Sequence, residues 1–111
     1  MKFLLINKMK DAALALPPAV SRQLMEATVA WVKQKMQAGV CLESYTIAGG
    51  HGSMAIVEYK SGEELARDFI QMPVGSFMDF EVYPLADFDE SMNAYIEALK
   101  AAEKMMPGPP G

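Results

Sequence analysis

The chain has 111 residues, of which 51% are hydrophobic and 22% are charged, and it carries a net charge of −4 at pH 7. These values predict one folded domain with a small core and exclude a disordered chain. The acidic balance excludes nucleic acid and anionic membranes as main partners, because both require a basic face.

The cysteine and histidine counts limit the compartment and the cofactors. Cys41 is the only cysteine, so no intramolecular disulfide can form and a reducing compartment is expected. One histidine and one distant cysteine do not make a metal site, and no cofactor is expected. The apolar run at the N-terminus is too short for a signal peptide, and no segment approaches the roughly 20 apolar residues that span a bilayer. The sequence therefore predicts a cytoplasmic protein without a membrane partner.

The first part of the chain predicts a strand followed by a helix. Residues 3–6 are a continuous apolar run, which predicts a strand over residues 2–9 that is covered on both faces. After a connector that ends in two prolines, Ser21 is expected to cap a helix that runs to about Ala38 and is stopped by Gly39. Five residues at helical spacing predict its buried stripe: Met25, Thr28, Val29, Val32 and Met36.

The middle of the chain predicts a hairpin and a second helix. Residues 40–47 and 53–59 are rich in strand-forming side chains and flank a glycine-rich turn, so they are expected to pair. Ser61 is expected to cap a short helix, because two glutamates follow it where the helix dipole favours them. Three apolar residues of this helix are expected to face inward: Leu65, Phe69 and Ile70.

Residues 79–83 alternate between two kinds of side chain. Asp79, Glu81 and Tyr83 point to one face and apolar side chains to the other, which predicts a strand with two different faces. Pro84 cannot donate a hydrogen bond to a neighbouring strand, so this strand is expected to end there or to lie at an edge of the sheet.

The last element is predicted to be a third helix, capped by Asp87 or Asp89. Its apolar stripe is Met92, Tyr95, Ile96, Leu99, Ala102 and Met106. A Pro/Gly tail at residues 107–111 is expected to stop the helix and to be mobile. The chain is therefore expected to be one domain, residues 1–106, followed by this tail.

The order of the predicted elements is strand, helix, strand, strand, helix, strand and an extra helix. This is the split β-α-β pattern of the ferredoxin-like fold, an α+β class with two helices on one face of a four-stranded antiparallel sheet. The other face is still apolar, and a second copy of the same sheet is expected to cover it. The result would be a dimeric α+β barrel, with the C-terminal helix packed across a subunit boundary.

Three motifs resemble the muconolactone delta-isomerase family. They are the Ile47-Ala48-Gly49 turn, the Ser61-x-Glu63-x-Leu65 helix start, and Met72-Pro73 followed by Phe77-Met78-Asp79-Phe80-Glu81-Val82. The resemblance implies a ferredoxin-like protomer, paired sheets and a larger ring-like homo-oligomer. It also implies isomerisation of a lactone acid, although the family's second strand is rich in Arg, His and Trp. Residues 41–46 of this chain, by contrast, contain no cation for the carboxylate.

Five residues are candidates for the chemistry. Glu43 is the preferred base inside a barrel pocket, with Tyr45 as donor to a developing enolate oxygen; Cys41 is expected on the same face. Asp79 and Glu81 lie close enough to share a raised pKa if enclosed, or they are a solvated face or partners for cations across an interface. His51, the sole histidine, lies in the glycine-rich turn, where it is either catalytic or simply exposed.

Three functions remain open at this point. The first is a cofactor-independent isomerase that acts by proton transfer on a small unsaturated lactone or related organic acid. The second is a non-catalytic accessory protein that binds a small apolar or aromatic-derived ligand. The third is a cofactor-free monooxygenase of the same barrel superfamily, for which a methionine-lined pocket would be suited.

Overall fold

The structure, a computed structural model, describes residues 1–106 and Gly108. Its elements are β1 (Lys2–Met9), α1 (Pro18–Gln37), β2 (Cys41–Thr46), β3 (Gly52–Glu58), α2 (Gly62–Phe69), β4 (Met78–Leu85) and α3 (Phe88–Met105). Short 3-10 helices at Asp11–Ala15 and Gly75–Phe77 lead into α1 and β4. The Pro/Gly tail expected at residues 107–111 lies outside the described residues, apart from Gly108.

The four strands form one antiparallel sheet in the order β2-β3-β1-β4. This order confirms the ferredoxin-like α+β fold that the sequence predicts, since the first and third strands are central and the second and fourth are at the edges. Pro84 lies on β4, an edge strand, where its missing N–H costs no interior hydrogen bond.

The strand register gives the sheet two different faces, because residues directly opposite each other in antiparallel strands point to the same side. The helix-side face carries Phe3, Leu5, Asn7, Cys41, Ser44, Thr46, Ser53, Ala55 and Val57. The opposite face, called the open face below, carries Leu4, Ile6, Glu43, Tyr45, Met54, Ile56, Asp79, Glu81 and Tyr83. The expectation that β1 is covered on both faces is wrong for a single copy of the chain.

An irregularity in β2 separates two residues that the sequence placed together. Cys41 lies opposite Val57, whereas Glu43 lies opposite the adjacent residue Ile56, so Leu42 is an extra residue in the pairing. A bulge of this kind shifts the side-chain alternation by one residue. The prediction that Cys41 shares a face with Glu43 is therefore wrong, and Cys41 is buried in the core instead.

The core is small and lies between the helix-side face and α2. Leu5, Val57 and Leu65 are 1%, 2% and 5% exposed, and Phe3 and Tyr59 complete the cluster with Cys41. Ile70, expected to face inward with Leu65, is 82% exposed. It occupies the C-cap position of α2, where the chain leaves the helix and turns away from the sheet.

Helix α1 begins earlier than the sequence suggested. Its N-cap is Pro17 and its first residue is Pro18, so the expected Ser21 cap is wrong. Proline is well suited to the first turn of a helix, because its fixed φ is helical and the missing N–H has no intrahelical partner there. The other end is as expected, since Gly39 adopts a φ of +76° beyond the C-cap.

Helices α2 and α3 have the expected caps. The Ser61 hydroxyl accepts a hydrogen bond from the Glu64 N–H at 3.2 Å, and the Asp87 carboxylate accepts one from the Glu90 N–H at 2.9 Å. Both bonds satisfy helix N–H groups that have no partner within the helix.

Helix α3 projects from the rest of the chain. Every residue from Phe88 to Met105 is exposed, including the apolar stripe. The radius of gyration is 19.9 Å, against about 13 Å for a compact domain of this size. The stripe therefore has no partner among the described residues. No helix in residues 1–106 is long and apolar enough to cross a membrane.

One glycine is required where β3 meets β1. A Cβ on Gly52 would collide with the backbone carbonyl oxygen of Asn7, whereas a Cβ on Gly62 would meet nothing within 4 Å. We expect Gly52→Ala to lower the free energy of unfolding by about 1–3 kcal/mol, because the strands must separate to admit the methyl group. Urea denaturation measures the change.

The matched control is Gly62→Ala, in the first turn of α2. This substitution is expected to be neutral or to stabilise the chain by up to about 1 kcal/mol, because alanine restricts the unfolded state. Equal unfolding midpoints for the two variants would contradict the close approach of β1 and β3.

Candidate functional site

A cavity of about 510 Å³ lies between α1 and the helix-side face of the sheet. It exists because α1 packs closely against the sheet only near its C-terminal end. Met25, Val29 and Met36 line the cavity but remain 44%, 51% and 47% exposed. These side chains face the sheet as the helical spacing predicts. They border open space, however, and no residue of α1 is buried.

The cavity wall is mostly apolar. Methionines line both sides of the cavity. Met25 and Met36 are on α1, and Met9, Met72 and Met78 are on the strands and the connection opposite it. Methionine adapts its shape readily, so such a wall tolerates ligands of different outline. The volume and lining are typical of a small-molecule site.

The C-terminal half of α1 is held in place at one end of the cavity. The Trp31 and Phe69 rings pack edge to face with centroids 5.3 Å apart. Lys35 Nζ donates to Asp68 Oδ1 at 2.7 Å and lies 5.1 Å from the Trp31 ring centroid. The Tyr59 hydroxyl donates to the other carboxylate oxygen of Asp68. We call these five residues the anchor cluster.

The anchor cluster shifts the pKa values of its two acids in opposite directions. Burial alone would raise the pKa of Asp68, but hydrogen bonds from Lys35 and Tyr59 and the charge of Lys35 outweigh it and hold the pKa below 3.8. Burial, followed by the hydrogen bond to Asp68 and its charge, raises the pKa of Tyr59 well above 10.0. Near neutral pH the cluster is therefore a charged Lys35–Asp68 pair with a neutral phenol.

The other end of the cavity is polar. Asn7, Ser44, Thr46, His51 and Ser53 line it. The Ser53 N–H and hydroxyl both donate to Asn7 Oδ1, and the His51 carbonyl accepts from the Met9 N–H at 2.8 Å. Tyr59, in the anchor cluster, lies beside Met1, whereas His51, at the polar end, lies beside Met9. The anchor cluster and the polar end are therefore separated by most of the length of β1.

Helix α1 places two lysines at the cavity, whereas the second strand has none. Lys33 and Lys35 both line the cavity. Lys35 is committed to Asp68, whereas Lys33 is exposed and forms no ion pair with the described residues. The ammonium group of Lys33 is therefore available to an anionic ligand.

The five residues singled out by the sequence lie on opposite sides of the sheet. His51 lines the cavity, while Glu43, Tyr45, Asp79 and Glu81 lie on the open face. Glu43 is on β2 and the other two carboxylates are on β4, at opposite edges of the sheet. Three strand spacings separate them by about 14 Å. Within one copy of the chain, Glu43 cannot share a small substrate with Asp79 or Glu81, and catalytic roles for these four residues stay predictions.

The carboxylates of β4 have the partners of a solvated surface. Asp79 lies 3.9 Å from Lys10, with the Asp79 side chain 76% exposed. Glu81 accepts a hydrogen bond from the Tyr83 hydroxyl at 2.8 Å, which raises the pKa of Tyr83. Exposed pairs of this kind contribute little to stability.

Sequence reasoning missed Asn7, Lys33 and most of the anchor cluster. Asn7 interrupts the apolar side of β1 and lies opposite Ser53, and a polar residue at an inward position was the available signal. Lys35 follows Val32 at helical spacing on α1, so its position on the inner side was also readable. No three His, Cys, Asp or Glu side chains within residues 1–106 are grouped as a metal site would require.

Comparison with known proteins agrees with the motifs in the sequence. A family model described as muconolactone delta-isomerase matches residues 1–91. No curated protein sequence matches the chain. The family model ends within the first turn of α3, so the rest of that helix lies beyond it.

Two solved structures share the fold. A muconolactone isomerase aligns with a TM-score of 0.71 and 24% identity, over 78% of this chain and 90% of that one. A 5-chloro-2-hydroxyhydroquinone dehydrochlorinase from Burkholderia phenoliruptrix AC1100, in complex with 2,5-dihydroxybenzoquinone, aligns with a TM-score of 0.64 and 17% identity, over 81% and 98%. At these identities the two structures support the architecture alone.

The raised pKa of Tyr59 makes its contribution to stability depend on pH. Because the folded-state pKa lies above the ordinary 10.0, the stabilisation is complete below pH 10 and is lost as the pH rises further. We expect Tyr59→Phe to lower the free energy of unfolding by about 1–2 kcal/mol at pH 8. Above pH 10 the difference in unfolding free energy between the wild type and Tyr59→Phe should narrow. Only the wild type has this phenol, which must stay protonated in the folded state, so only the wild type loses stability there. Urea denaturation at pH 8 and pH 11, at fixed protein concentration, measures both gaps.

Tyr95→Phe is the matched control, since Tyr95 is 61% exposed on α3. This variant should follow the wild type at both pH values. A Tyr59→Phe gap that stays constant between pH 8 and pH 11 would show that the phenol is not held by Asp68.

Proposed function

The chain belongs to the muconolactone delta-isomerase family, and on that premise we propose that it is a cofactor-independent isomerase of a small unsaturated lactone or related organic acid. The reaction would take place in the cavity between α1 and the sheet. The observation that supports this most directly is the sole histidine, His51, an exposed residue that lines one polar end of a mostly apolar cavity.

Moving a double bond within a lactone requires one proton to be removed at one carbon and another to be delivered at a second carbon, one of the two being next to the carbonyl. A single imidazole can carry out both transfers, because it accepts and releases protons near neutral pH. His51 follows two glycines and precedes a third in the β2–β3 turn, so its side chain has room to reorient between the two carbons. The negative charge that develops on the carbonyl oxygen requires a hydrogen-bond donor.

The remaining lining suits the same ligand class. The methionine-rich wall would hold the ring, and Lys33 would pair with a carboxylate at the cavity's exposed side. A small apolar or aromatic-derived acid matches this combination. The expected cofactor independence and cytoplasmic location stay predictions.

Self-association is part of the proposal. The open face has an apolar centre of Leu4, Ile6, Met54 and Ile56, all only partly buried, and Tyr45 and Tyr83 are 57% and 47% exposed beside it. Positively charged lysines and negatively charged carboxylates surround this centre, so a two-fold axis can place opposite charges together. An apolar centre with a charged rim is typical of an interface between subunits. A second copy of the chain would cover this face, as in a dimeric α+β barrel, and a larger ring-like oligomer stays a prediction.

We expect His51→Gln to lower kcat for isomerisation of muconolactone by about 100-fold or more, because glutamine keeps the polarity but transfers no proton. The KM should change little, since the apolar wall and Lys33 are untouched. The loss of ultraviolet absorbance as the double bond leaves conjugation with the lactone carbonyl, followed under steady-state conditions, measures both constants.

Glu43→Gln and Glu26→Gln complete this test. Glu26 is an exposed residue of α1, ion-paired with Arg22, and its variant should behave as the wild type. A large loss of kcat in Glu43→Gln with His51→Gln active would move the reaction to the open face and contradict the proposed site. Binding without turnover in the wild type would favour the non-catalytic alternative.

We expect Tyr45→Lys to weaken self-association at least 100-fold, because it places a charge beside the apolar centre of the proposed interface. The side chain is already exposed in the single chain, so the monomer should keep its fold by circular dichroism. Analytical ultracentrifugation over a range of concentrations measures the association constant. Ala30→Lys, on the outer side of α1, is the control. A wild-type chain that sediments as a monomer at every concentration would contradict the interface.

A further inference from the structure

Asn7 is a buried polar residue at the polar end of the cavity. It is 7% exposed and lies on the helix-side face of β1, between apolar neighbours. Its Oδ1 accepts hydrogen bonds from the Ser53 N–H at 3.1 Å and from the Ser53 hydroxyl at 2.5 Å. A buried amide on an apolar face is costly unless its polar atoms have partners.

The two bonds from Ser53 fix the orientation of the amide. Flipping it would point the NH2 group at the Ser53 N–H, donor against donor, so the oxygen must face Ser53. The Nδ2 atom, with two N–H donors, then points away from β3. It has no hydrogen-bond partner among the described residues.

The free NH2 group borders the cavity. Within residues 1–106, no fully buried side-chain nitrogen or oxygen lacks a partner, so Nδ2 must be accessible. Asn7 lines the cavity together with His51 and Ser53, and the cavity is the space open to it. The Asn7 NH2 group is therefore a hydrogen-bond donor of fixed direction in a mostly apolar cavity wall.

We infer that Asn7 determines specificity by donating a hydrogen bond from Nδ2 to a carbonyl oxygen of the ligand. A ligand without an acceptor there would leave a desolvated N–H unpaired, so the site discriminates against it. The binding preference applies to any ring-shaped ligand that carries a carbonyl group, whether or not the ligand reacts. Its catalytic consequence, stabilisation of an enolate oxygen beside His51, rests on the proposed function.

The chain contains a reporter for this binding. Trp31 is the only tryptophan and lines the cavity, so its fluorescence responds to ligands there. Phthalide and phthalan form a suitable probe pair, because they share one fused ring system and differ in a single carbonyl. We expect the wild type to bind phthalide about 5- to 100-fold more tightly than phthalan.

Substitution of Asn7 should remove this preference. Asn7→Asp keeps an acceptor for Ser53 but replaces the donor with an oxygen, and Asn7→Leu removes both groups. Either variant should bind phthalide no better than phthalan. The control is Thr46→Val, which removes a cavity hydroxyl without touching Asn7 and should retain the wild-type ratio.

Each outcome decides the inference. Equal binding of the two probes by the wild type, or binding of neither, overturns it without any variant. A preference that survives in both Asn7 variants, or that disappears in Thr46→Val, assigns the contact to another residue and also overturns it. Carbonyl preference without isomerase turnover would refute the proposed function alone, and turnover without the preference would refute only the role of Asn7.

Discussion

The structure depends on how α1 is attached to the sheet. The Lys35–Asp68 ion pair and the edge-to-face contact of Trp31 with Phe69 hold its C-terminal half, and Val32 and Val40 pack on the core beside them. Phe69 also contacts Tyr59 and Phe80, so one ring of α2 connects both helices to the sheet. Among the residues that the structure describes, no ion pair or ring contact attaches the N-terminal half of α1 to the sheet. The cavity results from this difference, because a helix held at one end leaves a wedge of space at the other.

The two faces of the sheet therefore have separate roles. The helix-side face forms the cavity floor, and most polar strand residues in that floor lie toward the β2–β3 turn. The open face carries apolar side chains and most of the strand carboxylates. The extra residue at Leu42 keeps these roles distinct on β2, because it places Cys41 in the core while Glu43 and Tyr45 stay on the open face. Without it, the alternation along β2 would send Cys41 and Glu43 to the same side.

The sequence predicted the secondary-structure elements more directly than it predicted which residues lie together, for a physical reason. Caps at Ser61 and Asp87 and the positive φ at Gly39 are local, so they can be read from a few neighbouring residues. Alternation shows which residues share a face, but it does not show which face the helices cover. Glu43 and Asp79 drew attention because they are charged, whereas Asn7 became informative only once its partner Ser53 and the cavity were known.

Most of helix α3 lies outside the part of the chain that matches the family. The family model ends at residue 91, yet α3 continues to Met105 with apolar residues at Met92, Tyr95 and Leu99. Their spacing of three and four residues is that of a coiled-coil seam. Helices in proteins are stabilised mainly by the packing of an apolar face, and this stripe is 41–61% exposed at these positions. None of the described residues covers this stripe. In the proposed self-association, the second copy that covers the open face would also cover the stripe, because both contacts can form in the same assembly.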